Sequence, residues 1–238
     1  MRTRRGWAGR LAAVVLLAAA VWIGVEIWTW PSVKRLAVQR PTTTAFIEQY
    51  RARQRAAGRS DRVAWVWTPY AAIAPGLKRA VLVAEDIGFY SHHGFAVAEM
   101  QRALEDAFRD QELPRGASTI TQQLAKNLWL SPSRNPLRKG KEAVLTWELE
   151  RSLSKRRILE LYLNVAEFGP GVYGVGAASQ RYFGKAAADL DDHEAAQLAA
   201  VLPNPSSWHP GWTGPVYRRR VAAIERRMER AAFLWKLI

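Results

Sequence analysis

The N-terminal segment constrains this 238-residue chain more than any other feature. Residues 1–10 carry four Arg and no acid, and Leu11–Val25 follows as an uncharged apolar run of fifteen residues. Glu26 is the single acid between that run and Trp30. Counted through Trp30, the segment reaches the roughly 20 apolar residues that a membrane-spanning helix needs, and Trp is common at the membrane interface. The sequence therefore predicts a cytoplasmic basic N-terminus (1–10), a transmembrane anchor (11–30) and an exported remainder.

A cleaved signal peptide is the alternative interpretation of this segment. The apolar run is short and contains Ala18-Ala19-Ala20, as a cleavable leader does. The Trp residues favour the uncleaved anchor. In both interpretations the Arg-rich end stays in the cytoplasm. The absence of Cys excludes a disulfide framework, thiolate metal sites and a Cys nucleophile.

The charge balance predicts an anionic partner. Lys and Arg number 35 against 21 Asp and Glu, which gives a formal net charge of +14. Nucleic acid, a phospholipid surface and a phosphorylated substrate are the three classes that such a charge attracts. Export argues against nucleic acid, so membrane lipids or a phosphorylated envelope substrate remain.

The exported part is predicted to form one mostly α-helical domain. Residues 31–62 form a polar lead-in with weak helical patterning, and residues 63–238 are long enough to bury a core. Val63–Trp67 alternates like a short strand. The candidate helices are Leu77–Asp86, Val97–Phe108, Ser118–Trp129, Leu137–Ser152, Ile158–Phe168, Gly174–Tyr182, Asp192–Leu202 and Tyr217–Leu237.

Glu85 is the first candidate for chemistry. It closes the apolar run Ala80–Ala84 and is predicted to lie beside Val81 at the edge of a helical stripe, while Asp86 points to the opposite side. An apolar wall disfavours the charged form of a carboxyl group, which raises its pKa toward the range useful for proton transfer. A salt bridge at the helix end is the alternative.

Ser118–Trp129 has an unusual polar side. Ser118 is the expected N-cap, and Ile120, Leu124 and Leu128 form the apolar side. The opposite side carries a hydroxyl, amides and one ammonium group, which suit sugar hydroxyls and an anion; an ordinary solvated face is the alternative. The residues on that side are Thr119, Gln122, Gln123, Lys126 and Asn127.

The start of Leu137–Ser152 is crowded with cations. Arg138 and Glu142 stand one turn apart in line with the apolar stripe, which places them toward the interior or a cleft. Lys139 and Lys141 lie beside them, although the positive end of a helix dipole favours anions. A bound phosphate would resolve that conflict, and a surface Arg–Glu pair is the alternative.

The Arg-rich C-terminal segment leaves two interpretations open. Six Arg between Arg218 and Arg230 alternate with apolar residues, as in a helix that lies on a membrane surface. The same pattern is typical of a helix docked on the core with a solvated basic side.

These residues carry a resemblance to a known family. The chain resembles the monofunctional biosynthetic peptidoglycan glycosyltransferases, relatives of the glycosyltransferase domain of bifunctional penicillin-binding proteins. Five motifs within residues 40–225 support it: Glu85-Asp86-x-x-Phe89-x-x-His92-x-Gly94, Gly116-Ala117-Ser118-Thr119-x-Thr121-Gln122-Gln123-Leu124-x-Lys126-Asn127, Arg138-Lys139-x-x-Glu142, Lys155-x-x-Ile158-Leu159-Glu160-x-Tyr162-Leu163-Asn164, and Glu194-x-Ala196-x-Leu198-Ala199-Ala200-x-Leu202-Pro203-x-Pro205.

The resemblance implies a mainly α, lysozyme-like bilobal domain with a head and a smaller jaw at about residues 96–115. The implied substrates are lipid II and the growing glycan strand. The implied reaction joins disaccharide-pentapeptide units through β-1,4 bonds, with inversion at the anomeric carbon and release of polyprenyl diphosphate. The implied location is the bacterial inner membrane, with a single span and the catalytic domain on the periplasmic side.

The family pattern also implies roles for individual residues. Glu85 is the expected general base and Glu142 a second catalytic residue near the leaving group. Mg²⁺ or Mn²⁺ near the diphosphate is an open expectation, its ligands are unassigned, and no organic cofactor is expected. Membrane lipids and other cell-wall synthesis or division proteins are candidate partners. The expected substrate-binding residues are Lys126, Arg138, Lys139, Thr119, Gln123, Asn127, Ser118, His92, Asp86 and Phe89.

Two other function classes stay open at this stage. A cell-wall-degrading enzyme of lysozyme type also uses a carboxylate in the cleft of a mainly helical fold. A non-catalytic envelope scaffold would bind anionic lipid through the basic surface.

Overall fold

The computed structural model describes residues 2–96, 101, 118–130 and 136–238. The predicted helix Val97–Phe108 and nearly all of the predicted jaw lie outside these residues. The described chain divides into two compact units, Met1–Ser32 and Val33–Ile238.

The first unit is a single helix, α1 (Arg2–Trp28), with no acidic residue in its first turn. Its 27 residues cover the predicted basic N-terminus and most of the predicted anchor. Within the residues that the structure describes, no helix is both long enough and apolar enough to cross a membrane.

The second unit is built mainly from helices, as expected from the sequence. It includes the 3₁₀ helix Val33–Ala37 and a helix from the segment predicted as a lead-in. The α-helices in its described part are α2 (Ala45–Ala56), α3 (Pro75–Glu85), α4 (Ile120–Trp129), α5 (Pro136–Ser152), α6 (Lys155–Val165), α7 (Val175–Phe183), α8 (Asp192–Val201) and α9 (Pro215–Arg230), with short 3₁₀ helices at Tyr70–Ala72 and Ala232–Lys236.

A small three-stranded sheet supports one side of this unit. The strands are β1 (Ala64–Trp65), β2 (Glu167–Gly169) and β3 (Val172–Tyr173), in the order β1-β3-β2. β1 pairs with β3 in parallel and β2 pairs with β3 antiparallel. The sequence pattern indicated only the first of these strands.

Two groups of helices form the core around the site. α3 packs against α8 and α9, while α4 packs against α5, α6 and α2. Leu77, Val81 and Leu82 of α3 are buried in the first group, and Leu124 of α4 and Leu145 of α5 in the second. The apolar stripes predicted for these helices are therefore confirmed as their packing faces.

Several predicted helix boundaries need correction. The helix predicted at Ile158–Phe168 begins at Lys155, where Ser154 caps it, and ends at Val165 because Glu167–Gly169 joins the sheet. The helix predicted through Leu237 ends at Arg230 and continues as the 3₁₀ helix Ala232–Lys236.

The structure also decides between the two interpretations of the C-terminal helix. Tyr217, Val221, Ile224 and Met228 of α9 are buried against α8 and α3. This helix is docked on the core, and its other side carries the exposed Arg residues.

Candidate active site

Glu85 stands at the end of α3, beside the apolar interior. Pro75 opens the helix, and the chain leaves the helix at Asp86, whose φ of −164° is extended. The Glu85 side chain is 12% exposed. The predicted burial of this carboxyl group is confirmed, and the alternative interpretation, a salt bridge at the helix end, also holds because Arg220 pairs with it.

Two side chains from distant parts of the sequence bind the Glu85 carboxylate. Gln123 Nε2 donates to Oε2 at 2.9 Å, and Arg220 Nη2 donates to Oε1 at 2.8 Å. Burial raises the pKa of Glu85 above its usual value, while the bond from Gln123 and the charges of Arg220 and Lys126 act in the opposite direction. The burial effect dominates, so this carboxylate is more basic than an exposed one and is held in place.

Tyr162 fixes the orientation of the Gln123 amide. The Tyr162 hydroxyl donates to Gln123 Oε1 at 2.8 Å, which leaves the Nε2 group directed to Glu85. Burial, with Glu85 and Asp86 nearby, holds the pKa of Tyr162 well above its usual value, so the hydroxyl keeps its proton. A chain of two hydrogen bonds thus runs from α6 through α4 to the end of α3.

Asp86 turns inward, which corrects the prediction that it points away from the interior. Its carboxylate accepts the backbone N–H of Ile120 at 3.0 Å and contacts His92 Nε2 at 2.9 Å. Because the N–H of Gly94 donates to His92 Nδ1 at 3.1 Å, Nε2 is the protonated nitrogen and donates to Asp86. The predicted supporting role of His92 agrees with these contacts, and Phe89 is buried edge-on against its ring.

Gly94 closes this turn against α5. Its φ is +88°, and a Cβ there would lie 2.8 Å from Thr146 Cγ2 and 2.9 Å from Glu150 Cγ. Both the left-handed backbone and the close approach require glycine. The Gly94 carbonyl in turn accepts the Thr119 hydroxyl at 2.7 Å, which ties the first motif to the start of α4.

The N-cap of α4 is Thr119, not Ser118 as predicted. Thr119 Oγ1 accepts the N–H of Gln122, and the Gln122 side chain accepts the N–H of Thr119, so the two residues form a capping box. Thr119, Gln122 and Asn127 are all buried. The predicted polar side of this helix is therefore mostly interior, and Gln123 and Lys126 are its partly exposed members.

Lys126 is the cation of α4 on which both acidic residues of the site, Glu142 and Glu85, act electrostatically. Its ammonium stands 5.8 Å from the centroid of the Phe46 ring. Burial lowers the pKa of Lys126 below its usual value, and the charges of Glu142 and Glu85 act to raise it. Arg138 and Lys139 lie near enough to lower it further. A desolvated cation in this position gains strongly from an added anion.

Glu142 forms the centre of the cationic cluster on α5. Its side chain is 4% exposed; Arg138 Nη1 donates to Oε2 at 2.9 Å, and Lys139 Nζ pairs with Oε1. The prediction that Arg138 and Glu142 face inward together is confirmed. In the described part of the chain, Arg138 Nε is buried and has no hydrogen-bond partner.

Comparison with known proteins identifies the family. Residues 51–229 match the family model described as transglycosylase. The chain belongs to the transglycosylase family. Over 232 residues it is 46% identical to the biosynthetic peptidoglycan transglycosylase of Thiobacillus denitrificans, a match that covers 96% of this chain and 97% of that protein.

Two further relatives carry the same name. The biosynthetic peptidoglycan transglycosylases of Azoarcus sp. and Aromatoleum aromaticum are 41% and 44% identical to this chain. Each match covers 96% of this chain, and 97% and 96% of the relatives respectively. The resemblance inferred from the five motifs is confirmed, and the chain is a transglycosylase along nearly its whole length.

Two residues of this transglycosylase site were missed by sequence reasoning. Tyr162 is part of the fourth motif, but nothing in the sequence pattern assigned it a role. Arg220 is one of six Arg residues in the C-terminal helix, and the sequence did not distinguish it from the others. The contact of Tyr162 with the site joins different helices, so the periodicity of a single helix does not reveal it. Arg220 differs from its neighbours only because α9 packs against α3.

The described residues give no support for a protein-bound metal ion. They contain no group of three or more His, Cys, Asp or Glu side chains that could hold one. Both oxygens of Glu142 are already paired with cations. The described residues of this transglycosylase site therefore supply no ready set of protein ligands for a cation, and no chemical step is assigned to one.

Proposed function

We propose that this transglycosylase polymerises peptidoglycan glycan strands from lipid II, with Glu85 as the general base and Lys126, Arg138 and Lys139 as the diphosphate-binding cations. Membership of the family supports the activity. The observation that carries the site assignment is that Gln123 of α4 donates to the Glu85 carboxylate at 2.9 Å. Lys126 follows one turn later on the same helix, where the charges of Glu142, Arg138 and Lys139 also act on it.

The proposed step is a single displacement. Glu85 removes the proton from the 4-hydroxyl of the acceptor N-acetylglucosamine. That oxygen forms a bond to the anomeric carbon of the donor N-acetylmuramic acid as the bond from that carbon to the diphosphate oxygen breaks. The electron pair leaves with polyprenyl diphosphate, and the α-linked donor becomes a β-1,4-linked product. The raised pKa of Glu85 suits it to accept this proton.

The leaving group calls for cations that are in place before the reaction. Negative charge grows on the diphosphate oxygens, and preorganised donors stabilise such charge best. Lys126 and Lys139 supply ammonium groups, and Arg138 supplies a guanidinium whose Nε–H is buried without a partner among the described residues. Glu142 assists by holding Arg138 and Lys139 in place. A divalent cation near the diphosphate would be held mainly by the phosphate oxygens.

The remaining residues predicted to bind substrate fall into two groups, exposed and buried. Ser118 is exposed at the start of α4 and Gln123 is partly exposed, so both are proposed to orient the sugars. Thr119, Asn127, Asp86, Phe89 and His92 are buried or nearly so, and they are proposed to act by fixing the first two motifs. Direct contact of these five residues with substrate stays a prediction.

The finer architecture is also part of the proposal. The mainly helical unit is proposed to be the lysozyme-like head, with the jaw at about residues 96–115. We propose that the N-terminal segment anchors the enzyme in the inner membrane with the catalytic unit on the periplasmic side. The basic residues 1–10 and the apolar run that follows support that topology. Membrane lipids and other cell-wall synthesis proteins are proposed as partners; nucleic acid is not.

The test is polymerisation by the full chain in detergent with labelled lipid II. The expected product is a glycan polymer that lysozyme digests. A degrading enzyme would instead shorten preformed glycan, and a scaffold would leave both substrates unchanged. Either of these outcomes would overturn the proposal.

A further inference from the structure

A cavity of about 360 Å³ lies between α8, α9 and the connection that joins these two helices. Its size is that of a pocket for a small ligand. Tyr217, Val221 and Ala222 of α9 supply its apolar surface. The Tyr217 hydroxyl donates to the Gln197 carbonyl of α8 at 3.0 Å, so the two helices are tied together at the cavity.

The cavity is separate from the candidate active site. Arg218 and Ala222 line it, and each stands two residues from Arg220 on α9. At 100° per residue, these two positions lie roughly 160° around the helix from Arg220. Arg220 binds Glu85, so the cavity and the proposed base use opposite sides of α9.

Trp212 presents a fixed aromatic face to the cavity. The residue is 43% exposed, and its backbone N–H donates to the His209 carbonyl at 2.9 Å. The indole meets the His209 ring edge-on, with 5.8 Å between the ring centroids. A Cβ at Gly214 would lie 2.1 Å from Trp212 Nε1, so glycine there lets the indole lie across the backbone. An exposed, immobilised indole of this kind is suited to stack on the apolar face of a sugar ring.

The polar groups around the cavity both donate and accept hydrogen bonds. His193 Nδ1 contacts Glu225 Oε1 at 2.5 Å. Among the described residues, the other oxygen of Glu225, the Gln197 amide and the Arg218 guanidinium have no hydrogen-bond partner. Because these groups carry charge of both signs, they favour a neutral ligand over an anion or a cation. Hydroxyl and acetamido groups of a sugar are neutral and both donate and accept hydrogen bonds.

We propose that this cavity is a second carbohydrate site, outside the active site, that takes one N-acetylhexosamine residue of a glycan strand. The sugar ring stacks on the Trp212 indole, and the acetamido methyl group packs on Ala222. Gln197, Arg218 and Glu225 bind the polar groups of the sugar. A strand held at this second point stays with the enzyme between additions of sugar units. The identity of the sugar rests on the proposed function, because that reaction makes strands of N-acetylhexosamines.

The test is the affinity of the full chain in detergent for chitotetraose, a soluble oligomer of N-acetylglucosamine, measured by titration calorimetry. Trp212→Ala removes the stacking surface and should weaken binding about tenfold. Ala222→Leu fills the cavity from α9 without removing a polar group, and it should weaken binding to a similar extent. Phe233→Ala, which changes an exposed aromatic residue outside the cavity, is the matched control and should bind as the unchanged chain does. Thermal unfolding checks the fold of each variant.

The active site also binds sugars under the proposed function, so Gln123→Ala serves as the comparison for that site. A loss of affinity confined to Gln123→Ala would place the oligomer in the active site and overturn the proposal. Unchanged affinity in both cavity variants, or no binding by the unchanged chain, would overturn it as well.

Polymerisation of labelled lipid II by the same preparations separates this proposal from the proposed function. A chain that makes no polymer but binds chitotetraose through the cavity would refute the polymerase and support the site. A chain that makes polymer but whose cavity variants bind normally would refute the site alone.

The length of the product strands identifies the source of the bound sugar. If the growing strand occupies the cavity, Trp212→Ala should give shorter strands. If a separate strand occupies it, product length should stay the same while preformed peptide-free strands no longer bind. Either result, together with the loss of affinity for chitotetraose, supports the carbohydrate site.

Discussion

Glu85 and Glu142 are both buried carboxylates paired with arginine, yet their neighbours leave them different roles. Glu85 receives one cation and one amide, and burial raises its pKa. Glu142 has a cation on each oxygen, both supplied by its own helix within four residues. The partners of Glu85 come instead from α4 and α9, so its environment depends on the tertiary fold.

The difference shows how one site can contain both a general base and an anion-binding cluster. A carboxylate shared between two cations holds both of them in place and can thereby fix them for a phosphate. A desolvated carboxylate with a neutral amide partner keeps a greater affinity for a proton. Both acids act to raise the pKa of Lys126, and burial outweighs them and lowers it.

Replacing the proposed base should give the largest effect. Glu85→Gln keeps the shape of the side chain but cannot accept a proton, so polymerisation from lipid II should fall by about 10²–10⁴-fold. The rate of polymer formation measures this, and thermal unfolding checks the fold. Glu48→Gln, at an exposed acid of α2, is the control. Near-normal polymer formation by Glu85→Gln would sink the assignment of the base.

Removing the cation on which both acids act should give the next largest effect. Lys126→Ala removes a preorganised charge at the leaving group, so turnover of lipid II should fall by about 100-fold. A soluble disaccharide lacks the diphosphate, and its binding should change far less. Arg226→Ala, an exposed change on α9, should affect neither. Equal losses of affinity for the lipid-linked and the soluble ligand would argue against diphosphate binding by Lys126.

The sequence predicted the interior of this molecule better than its contacts between elements. Apolar periodicity located α3, α4 and α5 because their stripes pack against other helices. The strands β2 and β3, of three and two residues, are too short to show a periodic pattern. Glu85 and the α5 cluster could be proposed from the sequence because each signal lies within one helix.

The errors arose where the outcome depends on tertiary structure. Asp86 was expected to continue the helix, but the helix ends one residue earlier, at Glu85. The Asp86 carboxylate instead turns inward and accepts the backbone N–H of Ile120. Ser and Thr are both favourable N-cap residues, so the sequence does not distinguish Ser118 from Thr119. In the structure Thr119 is the N-cap, and its hydroxyl also donates to the Gly94 carbonyl, a contact between distant segments. Arg220 meets Glu85 across 135 residues of sequence, a pairing that no local pattern reveals.

Removing the second carboxylate should affect stability as well as activity. Glu142→Gln deprives Arg138 of a buried partner, so the free energy of unfolding should fall by about 2 kcal/mol. The exposed partner Lys139 adds little to this value. Misplacement of the two cations should lower polymerisation by about tenfold. Thermal unfolding and polymer formation in detergent measure the two effects, with Glu85→Gln as the comparison. A full loss of activity at unchanged stability would make Glu142 a reactive group and remove the distinction between the two carboxylates.

The smallest expected effect is a shift in the pH dependence of activity, and it tests the comparison of Glu85 with Glu142 most directly. Glu85 must be ionised to act as a base, so activity falls as the pH drops through its pKa, which burial raises. Arg220 opposes that rise. Arg220→Gln should therefore raise the pKa further and move the acidic limb of the pH–rate profile upward by about half a unit. Arg219→Gln changes an exposed neighbour on the same helix and should leave the limb in place. A downward shift, or the same shift in both variants, would mean that Arg220 does not tune the base.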